Sequence, residues 1–84
     1  MTYQITLKKR VLKVLESINE PYYSNIRTAI YALGNNPRPK GYIKLKGRKS
    51  YRIRVADYRI IYDIIDDILL INVVDIGHRK DIYN

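Results

Sequence analysis

The sequence predicts an α+β fold in which two N-terminal helices pack on one face of a small, mainly antiparallel sheet. Two observations predict it. Apolar residues recur at helical spacing up to residue 34, and from Tyr42 onward the pattern changes to the alternation typical of strands. Because only 84 residues are present and 46% of them are hydrophobic, we expect one modest core and a single domain over residues 1–84.

The first part of the chain predicts a short strand followed by two helices. Tyr3–Thr6 alternates weakly, as a strand does, and Thr6 is a suitable N-cap for the first helix. The apolar stripe of that helix is Leu7, Val11, Val14, Leu15 and Ile18. Pro21 suits the first turn of a second helix, and Gly34 suits its C-cap. The second stripe is Tyr22, Tyr23, Ile26, Ile30 and Leu33.

Four further strands follow. The expected bounds are Tyr42–Leu45, Tyr51–Val55, Tyr58–Ile65 and Ile68–Ile76. Ala56-Asp57 predicts a two-residue hairpin turn, and Asp66-Asp67 a tight turn between the last two strands. Pairing across these turns collects an almost wholly apolar set on one face: Ile60, Tyr62, Ile64, Leu69, Ile71 and Val73. This is the face that the two helices must cover.

The opposite face of the predicted sheet is basic and concave. With a two-residue turn, Arg54 faces Arg59, and Arg52 lies on the same side of the hairpin. Like charges placed directly opposite each other destabilise a sheet, so we expect this face to bind an anion. Its other members are Ile61, Asp63, Leu70 and Asn72.

Charge and composition narrow the class of function. The chain has 16 Lys+Arg against 8 Asp+Glu, a net charge of +8, which favours nucleic acid, an anionic membrane surface or an acidic partner. No apolar run reaches the ~18 residues that span a bilayer, and the N-terminus lacks a signal peptide's apolar stretch, so we expect no membrane partner and a cytoplasmic protein. With no cysteine and one histidine, we expect no metal site and no other cofactor.

The chain ends in Gly77-His78-Arg79-Lys80-Asp81-Ile82-Tyr83-Asn84. RNA cleavage without a metal needs a base for the ribose 2′-OH, a cation for the phosphate and an acid for the departing oxygen. Arginine suits the phosphate, but its pKa above ~12 does not suit proton transfer. His78 is the one side chain whose ordinary pKa near ~6.5 suits either transfer. The alternative interpretation is a solvated tail that Tyr83 anchors by packing its ring.

Two runs of the sequence resemble RelE-type toxins of bacterial and archaeal toxin–antitoxin pairs. They are YRIRV…YRIIY, within residues 51–62, and GHRKDIY, residues 77–83. The Lys44-Leu45-Lys46-Gly47 segment and the order of two helices before a sheet extend the resemblance over nearly the whole chain. The resemblance implies an endoribonuclease that cuts mRNA in the ribosomal A site without a metal. It also implies a RelB-like antitoxin that wraps and neutralises the toxin.

The resemblance also implies a set of catalytic candidates: Arg52, Arg54, Arg59, His78, Arg79 and Tyr83. The first two stand where the best-known member of the family has lysines. Arg59 matches a phosphate-stabilising arginine, Arg79 matches an arginine on the leaving side, and Tyr83 matches a tyrosine that stacks on or orients the mRNA base. His78 stands where that member has a lysine, so its candidacy rests on its chemistry.

Other cations are expected to contact the backbone of ribosomal RNA: Lys9, Lys13, Lys44, Lys46, Arg48 and Lys49. For the two helix lysines, a solvated helix face is the alternative. Two other functions stay open. One is a ParE-like relative that shares the fold and poisons DNA gyrase without catalysis, which the basic and aromatic chain end disfavours. The other is a plain nucleic-acid-binding module.

Overall fold

Two helices pack on one face of a five-stranded sheet in the computed structural model, which describes residues 2–78. The elements in chain order are β1 (Gln4–Leu7), α1 (Lys9–Glu16), α2 (Tyr22–Leu33), β2 (Ile43–Lys44), β3 (Tyr51–Val55), β4 (Tyr58–Ile65), a 3-10 turn (Asp66–Ile68) and β5 (Leu70–His78). The strand order is β1-β5-β4-β3-β2, and only the β1–β5 pair is parallel. The predicted α+β fold is confirmed. Within the described residues, neither helix is long and apolar enough to cross a membrane.

The core lies between the helices and the sheet face that the sequence predicts. Its buried members are Val11, Leu15, Ile18, Ile26, Ile30, Leu33, Ile53, Ile60, Tyr62, Ile71, Val73 and Ile76. Tyr62 is fully buried, and its hydroxyl donates a hydrogen bond of 2.7 Å to the carbonyl of Pro37. Burial raises the pKa of Tyr62 to about 12. The polar end of this large ring therefore stays satisfied inside the core.

The first strand and the start of the first helix differ from the prediction. β1 pairs in parallel with β5, from Gln4↔Leu70 to Leu7↔Val73. Thr6 is therefore a strand residue and not an N-cap, and α1 begins at Lys9, after Lys8. Leu7 fits the helical stripe by spacing, yet its backbone belongs to the sheet while its side chain still packs against the core. A partner from the other end of the chain overrides the local pattern here.

The turn before β5 is longer than predicted. A 3-10 turn over Asp66–Ile68 is followed by Leu69 with φ of 51°, so β5 begins at Leu70 and not at Ile68. The register becomes Tyr62↔Val73 and Ile64↔Ile71. Before the bulge at Ile61/Tyr62 the partners move by two residues, an even number, so these side chains keep their predicted faces, whereas Ile68 and Leu69 leave the strand. A bulge between Ile61 and Tyr62 then adds one residue to β5.

The end of α2 is correctly predicted at Gly34, although for a different physical reason. Gly34 has a φ of −61°, an ordinary helical value that any residue can adopt. A Cβ at this position would lie 3.1 Å from the carbonyl oxygen of Tyr3 and 3.2 Å from that of Tyr31. The Tyr3 N–H donates to the Gly34 carbonyl at 2.7 Å. Glycine is therefore favoured because the N-terminal segment passes close to the helix end.

Candidate functional site

The β3–β4 hairpin has the predicted geometry. Its turn is Ala56-Asp57, and its pairs include Arg54↔Arg59 and Ile53↔Ile60. Ile53 and Ile60 belong to the core, so the residues that alternate with them point away from the helices. Arg54 and Arg59 are therefore directly opposed on the outer face of the sheet, and Arg52 lies on the same face. We call these three residues the arginine face.

The three arginines differ in exposure. Arg52 is buried at 8% exposure, Arg59 is half-buried and Arg54 is exposed. Burial lowers the pKa of Arg52, and the positive charges of Arg59 and Arg54 lower it further. Within residues 2–78, the Arg52 Nε has no hydrogen-bond partner, and neither Arg52 nor Arg54 forms an ion pair. Among these residues, no ion pair neutralises the positive charges of Arg52 and Arg54. Their planar guanidinium groups suit a phosphate.

A second, small apolar cluster covers part of this face. Leu45 is 3% exposed and Ile61 is 1% exposed, and Val74 packs against them. The Leu45 N–H donates to the carbonyl of Ser50 at 3.0 Å, which draws the turn before β3 down onto the sheet. Sequence reasoning missed this cover, although the apolar side chain of Ile61 among the arginines is a signal for it. Arg52 is directly opposite Ile61 in the register, so it lies next to this cluster.

The predicted RNA-contacting cations lie on two sides of the molecule. Lys44, Lys46, Arg48 and Lys49 are exposed around the turn between β2 and β3, at the edge next to the arginine face. The Lys44 ammonium donates to the Arg48 carbonyl at 2.9 Å and so closes the turn. Lys9 and Lys13 are exposed on α1, in the helix layer. The structure therefore brings the turn cations, and not the helix cations, next to the arginines.

His78 ends β5 and lies close to the hairpin, but on the helix side of the sheet. It pairs with Tyr58, whose ring it meets edge-on at a centroid distance of 5.6 Å. Tyr58 packs against the core, whereas Arg59, the next residue along β4, is opposite Gly77. The His78 side chain also lines a cavity of about 520 Å³ whose wall includes Arg10. Arg79 and Tyr83, the remaining catalytic candidates, lie outside the described residues.

The chemistry available on the arginine face is anion binding and charge stabilisation. Within residues 2–78, no group of three or more His, Asp or Glu side chains could hold a metal ion. The same face also carries the carboxylate of Asp63, which accepts a hydrogen bond from the Ser50 hydroxyl. Arginine can stabilise a growing phosphate charge, but a proton acceptor has to come from elsewhere.

Known proteins share this sequence pattern and this fold. The profile described as the ParE toxin of the type II toxin–antitoxin system parDE matches residues 5–83. A Methanocaldococcus jannaschii protein that carries the name toxin RelE1 is 29% identical over 87 residues, which are 99% of this chain and 97% of that protein. An archaeal RelE–RelB complex from Pyrococcus horikoshii contains a chain that is 30% identical, with a TM-score of 0.84, and the match covers 94% of this chain and 97% of that one. The chain belongs to the RelE-type toxins.

Further relatives extend the same picture. A RelE-like toxin protein of Escherichia coli is 28% identical over 89 residues, covering 100% of this chain and 93% of that protein. The RelE chain of the intact E. coli RelBE toxin–antitoxin complex has a TM-score of 0.79 at 23% identity, over 90% of this chain and 95% of that one, and it shows the shared fold. The resemblance inferred from the hairpin and the chain end is thus confirmed at the level of family and fold.

Proposed function

We propose that this RelE-type toxin is a ribosome-dependent endoribonuclease that cleaves mRNA in the ribosomal A site. The observation that carries the proposal is the arginine face, where Arg52, Arg54 and Arg59 lie side by side and two of them form no ion pair within residues 2–78. The exposed cations of the β2–β3 turn, with Lys9 and Lys13, would bind the backbone of ribosomal RNA. A ribosomal target implies a cytoplasmic site of action.

The proposed reaction is metal-independent attack by the ribose 2′-OH. The 2′-oxygen forms a bond to the adjacent phosphorus, the bond from phosphorus to the 5′-oxygen breaks, and the products carry a 2′,3′-cyclic phosphate and a 5′-hydroxyl. The 2′ proton passes to a base, and the 5′-oxygen receives a proton from an acid. Arg54 and Arg59 would hold the non-bridging oxygens, on which negative charge grows in the transition state.

His78 is the proposed titratable group for proton transfer. Its ring lies against Tyr58 on the helix side, so it has to leave that contact to reach a phosphate on the arginine face. Arg79 would act on the leaving side and Tyr83 on the mRNA base, as the family resemblance implies. We expect His78→Ala to lower the cleavage rate less than loss of the arginine pair, because charge stabilisation remains.

A RelB-like antitoxin is the proposed partner. The support is the RelE–RelB complex of Pyrococcus horikoshii, whose toxin chain shares 30% of its sequence with this one. The net charge of +8 also favours a partner with an acidic binding segment. Co-expression with such an antitoxin is expected to relieve growth arrest.

The test removes the directly opposed arginine pair. Arg54→Ala/Arg59→Ala is compared with Lys8→Ala/Arg27→Ala, which removes two exposed charges from the helix side. In a translating extract, wild type and the control should produce mRNA ends within the A-site codon. The arginine variant should cleave about 100-fold more slowly or worse, since one lost charge-stabilising donor commonly costs that much. Undiminished cleavage by the arginine variant would reject the proposal.

A second candidate is a ParE-like toxin that acts on DNA gyrase without catalysis. The observation in its favour is the matching family profile, which is described by the name ParE. The two candidates give different products in the same cells. Trapped gyrase–DNA breaks with intact mRNA would favour the ParE-like function, whereas A-site mRNA ends without DNA breaks would favour the endoribonuclease.

A further inference from the structure

Asp63 is a carboxylate within reach of the arginine face. In the β3–β4 register, Arg52 is opposite Ile61, so Asp63 is the diagonal neighbour of Arg52 on the same face. Diagonal neighbours are ~7–8 Å apart, a span that a long side chain can bridge. An Arg52–Asp63 ion pair is therefore the expected outcome of this arrangement. The structure does not contain that pair. The Asp63 carboxylate instead accepts a hydrogen bond from Ser50.

Ser50 holds the Asp63 carboxylate. Its hydroxyl donates to Asp63 Oδ1 at 2.6 Å, and the serine is 6% exposed. Its carbonyl accepts a hydrogen bond from the N–H of Leu45, which is itself buried against Ile61. Backbone and packing therefore fix the position of the Ser50 hydroxyl, and a partly buried, charge-assisted hydrogen bond of this length is a strong one.

Arg52 would be the natural partner of a released carboxylate. It is 92% buried, its Nε has no hydrogen-bond partner within residues 2–78, and the charges that bear on it are those of Arg59 and Arg54. A buried cation without a counter-ion is costly, and a nearby carboxylate would reduce that cost. The same pairing would neutralise one of the three charges that attract a phosphate.

We propose that Ser50 is a positioning residue that keeps Asp63 away from Arg52 and so preserves the positive charge of the arginine face. Loss of the Ser50 hydroxyl lets Asp63 turn towards Arg52 and form an internal ion pair. The phosphate of a bound RNA then competes with a carboxylate of the toxin itself. The identity of the anion as RNA rests on the proposed function.

The experiment is a cycle of four proteins: wild type, Ser50→Ala, Asp63→Asn and Ser50→Ala/Asp63→Asn. The probe is a fluorescein-labelled single-stranded RNA with 2′-O-methyl sugars, which cannot be cleaved by 2′-OH attack, and fluorescence anisotropy measures its affinity. Ser50→Ala should bind roughly threefold to tenfold more weakly, within the usual range for coupled neighbours. Asp63→Asn should bind as tightly as wild type. The double variant should regain that affinity, because no carboxylate remains to compete.

Salt dependence separates positioning from a merely structural role. If Asp63 neutralises Arg52 in Ser50→Ala, the slope of log affinity against log salt should become shallower by about 0.7 in that variant. The slope should recover in the double variant. A structural defect of the β2–β3 turn would not be repaired by Asp63→Asn. A double variant that binds as weakly as Ser50→Ala, or a Ser50→Ala protein that binds like wild type, overturns the proposal.

If Ser50→Ala folds poorly, Asp63→Glu tests the same proposal independently. The extra methylene takes the carboxylate past Ser50 and towards Arg52, so RNA binding should weaken although the serine is intact. Wild-type affinity in Asp63→Glu would overturn the proposal.

The proposed function and the role of Ser50 can fail separately. If mRNA stays uncleaved in a translating extract but the four proteins bind RNA as expected, the endoribonuclease function is rejected and the role of Ser50 is supported. A wild-type protein that does not bind the RNA probe would overturn the role of Ser50.

Discussion

The two faces of the sheet are built by different rules. The inner face carries Ile60 and Tyr62, both fully buried against the helices, and its polar atoms are satisfied, as the Tyr62 hydroxyl shows. The outer face carries a buried arginine and two arginines placed directly opposite each other, beside a cover made by Leu45. One face gains stability from every side chain, whereas the other includes groups that oppose folding.

This difference supports the proposed site on the outer face. Packing alone explains the inner residues, because burial of apolar area favours folding. No packing argument explains Arg52, since an apolar side chain of similar size would avoid the cost of burying a charge. Groups that oppose folding are expected at sites selected for binding or catalysis, and the outer face meets that description.

The largest expected effect compares two consecutive residues of β4. Ile60→Ala opens a cavity in the main core and should lower the free energy of unfolding by about 3–4 kcal/mol. Ile61→Ala affects only the small outer cluster, where the β2–β3 turn can close the gap, and should cost about 2 kcal/mol. Urea unfolding measures both values. Equal losses would show that the outer cover is as rigid as the core.

An intermediate effect of opposite sign is expected at Arg52. Arg52→Met replaces a buried cation by an apolar side chain and should raise the free energy of unfolding by about 1 kcal/mol, while weakening RNA binding. Arg54→Met, at the exposed position, is the control and should change stability little. Urea unfolding and RNA anisotropy measure the two effects. A destabilised Arg52→Met protein would mean that the guanidinium supports the fold.

The smallest expected effect lies on the rim of the sheet, outside both faces. Asp66 accepts hydrogen bonds from the Tyr3 hydroxyl at 2.5 Å and from Arg38 at 3.1 Å, and these lower its pKa. The Asp66 carboxylate is therefore protonated more readily in the unfolded chain than in the folded one. At a pH above the ordinary pKa of aspartate, the two hydrogen bonds stabilise the folded protein. This stabilisation is lost as the pH falls through the lowered pKa of Asp66 in the folded state.

The measurement at the rim is urea unfolding of wild type and Asp66→Asn at neutral pH and in acid. The variant should be the less stable protein at neutral pH, and the difference should shrink in acid. Asp67→Asn is the matched control, because Asp67 is exposed and makes no hydrogen bond within residues 2–78. A difference between wild type and Asp66→Asn that does not change with pH would contradict the assignment.

The hairpin and the inner face could be predicted from the sequence because local rules determine them. A two-residue turn fixes the pairing of Arg54 with Arg59, and the period-2 alternation fixes which residues meet the helices. The turn before β5 was predicted with the wrong length, but this error changed few of the predicted side-chain faces, for the same reason. An even shift in register moves partners along the strand and leaves the side chains on their faces as far as the bulge at Ile61/Tyr62.

The remaining features depend on contacts between distant segments, which local patterns do not contain. The parallel pairing of β1 with β5 joins the two ends of the described chain. The outer cluster forms because Leu45, from the β2–β3 turn, packs on Ile61, and the orientation of His78 follows from its pairing with Tyr58. The placement of the three hairpin arginines on one face was therefore predictable, but the position of His78, the proposed proton-transfer group, relative to them was not. The catalytic roles themselves stay predictions.

The pairing of the first strand with the last has a consequence for biosynthesis. β1 leaves the ribosome early, yet β5, its one neighbour in the sheet within residues 2–78, is made after the other strands of that sheet. Domains fold as units, and long-range strand pairing waits until both partners are available. The five-stranded sheet thus cannot close before β5 has been made. A toxin with this strand order completes its sheet only after residues 70–78 have been synthesised.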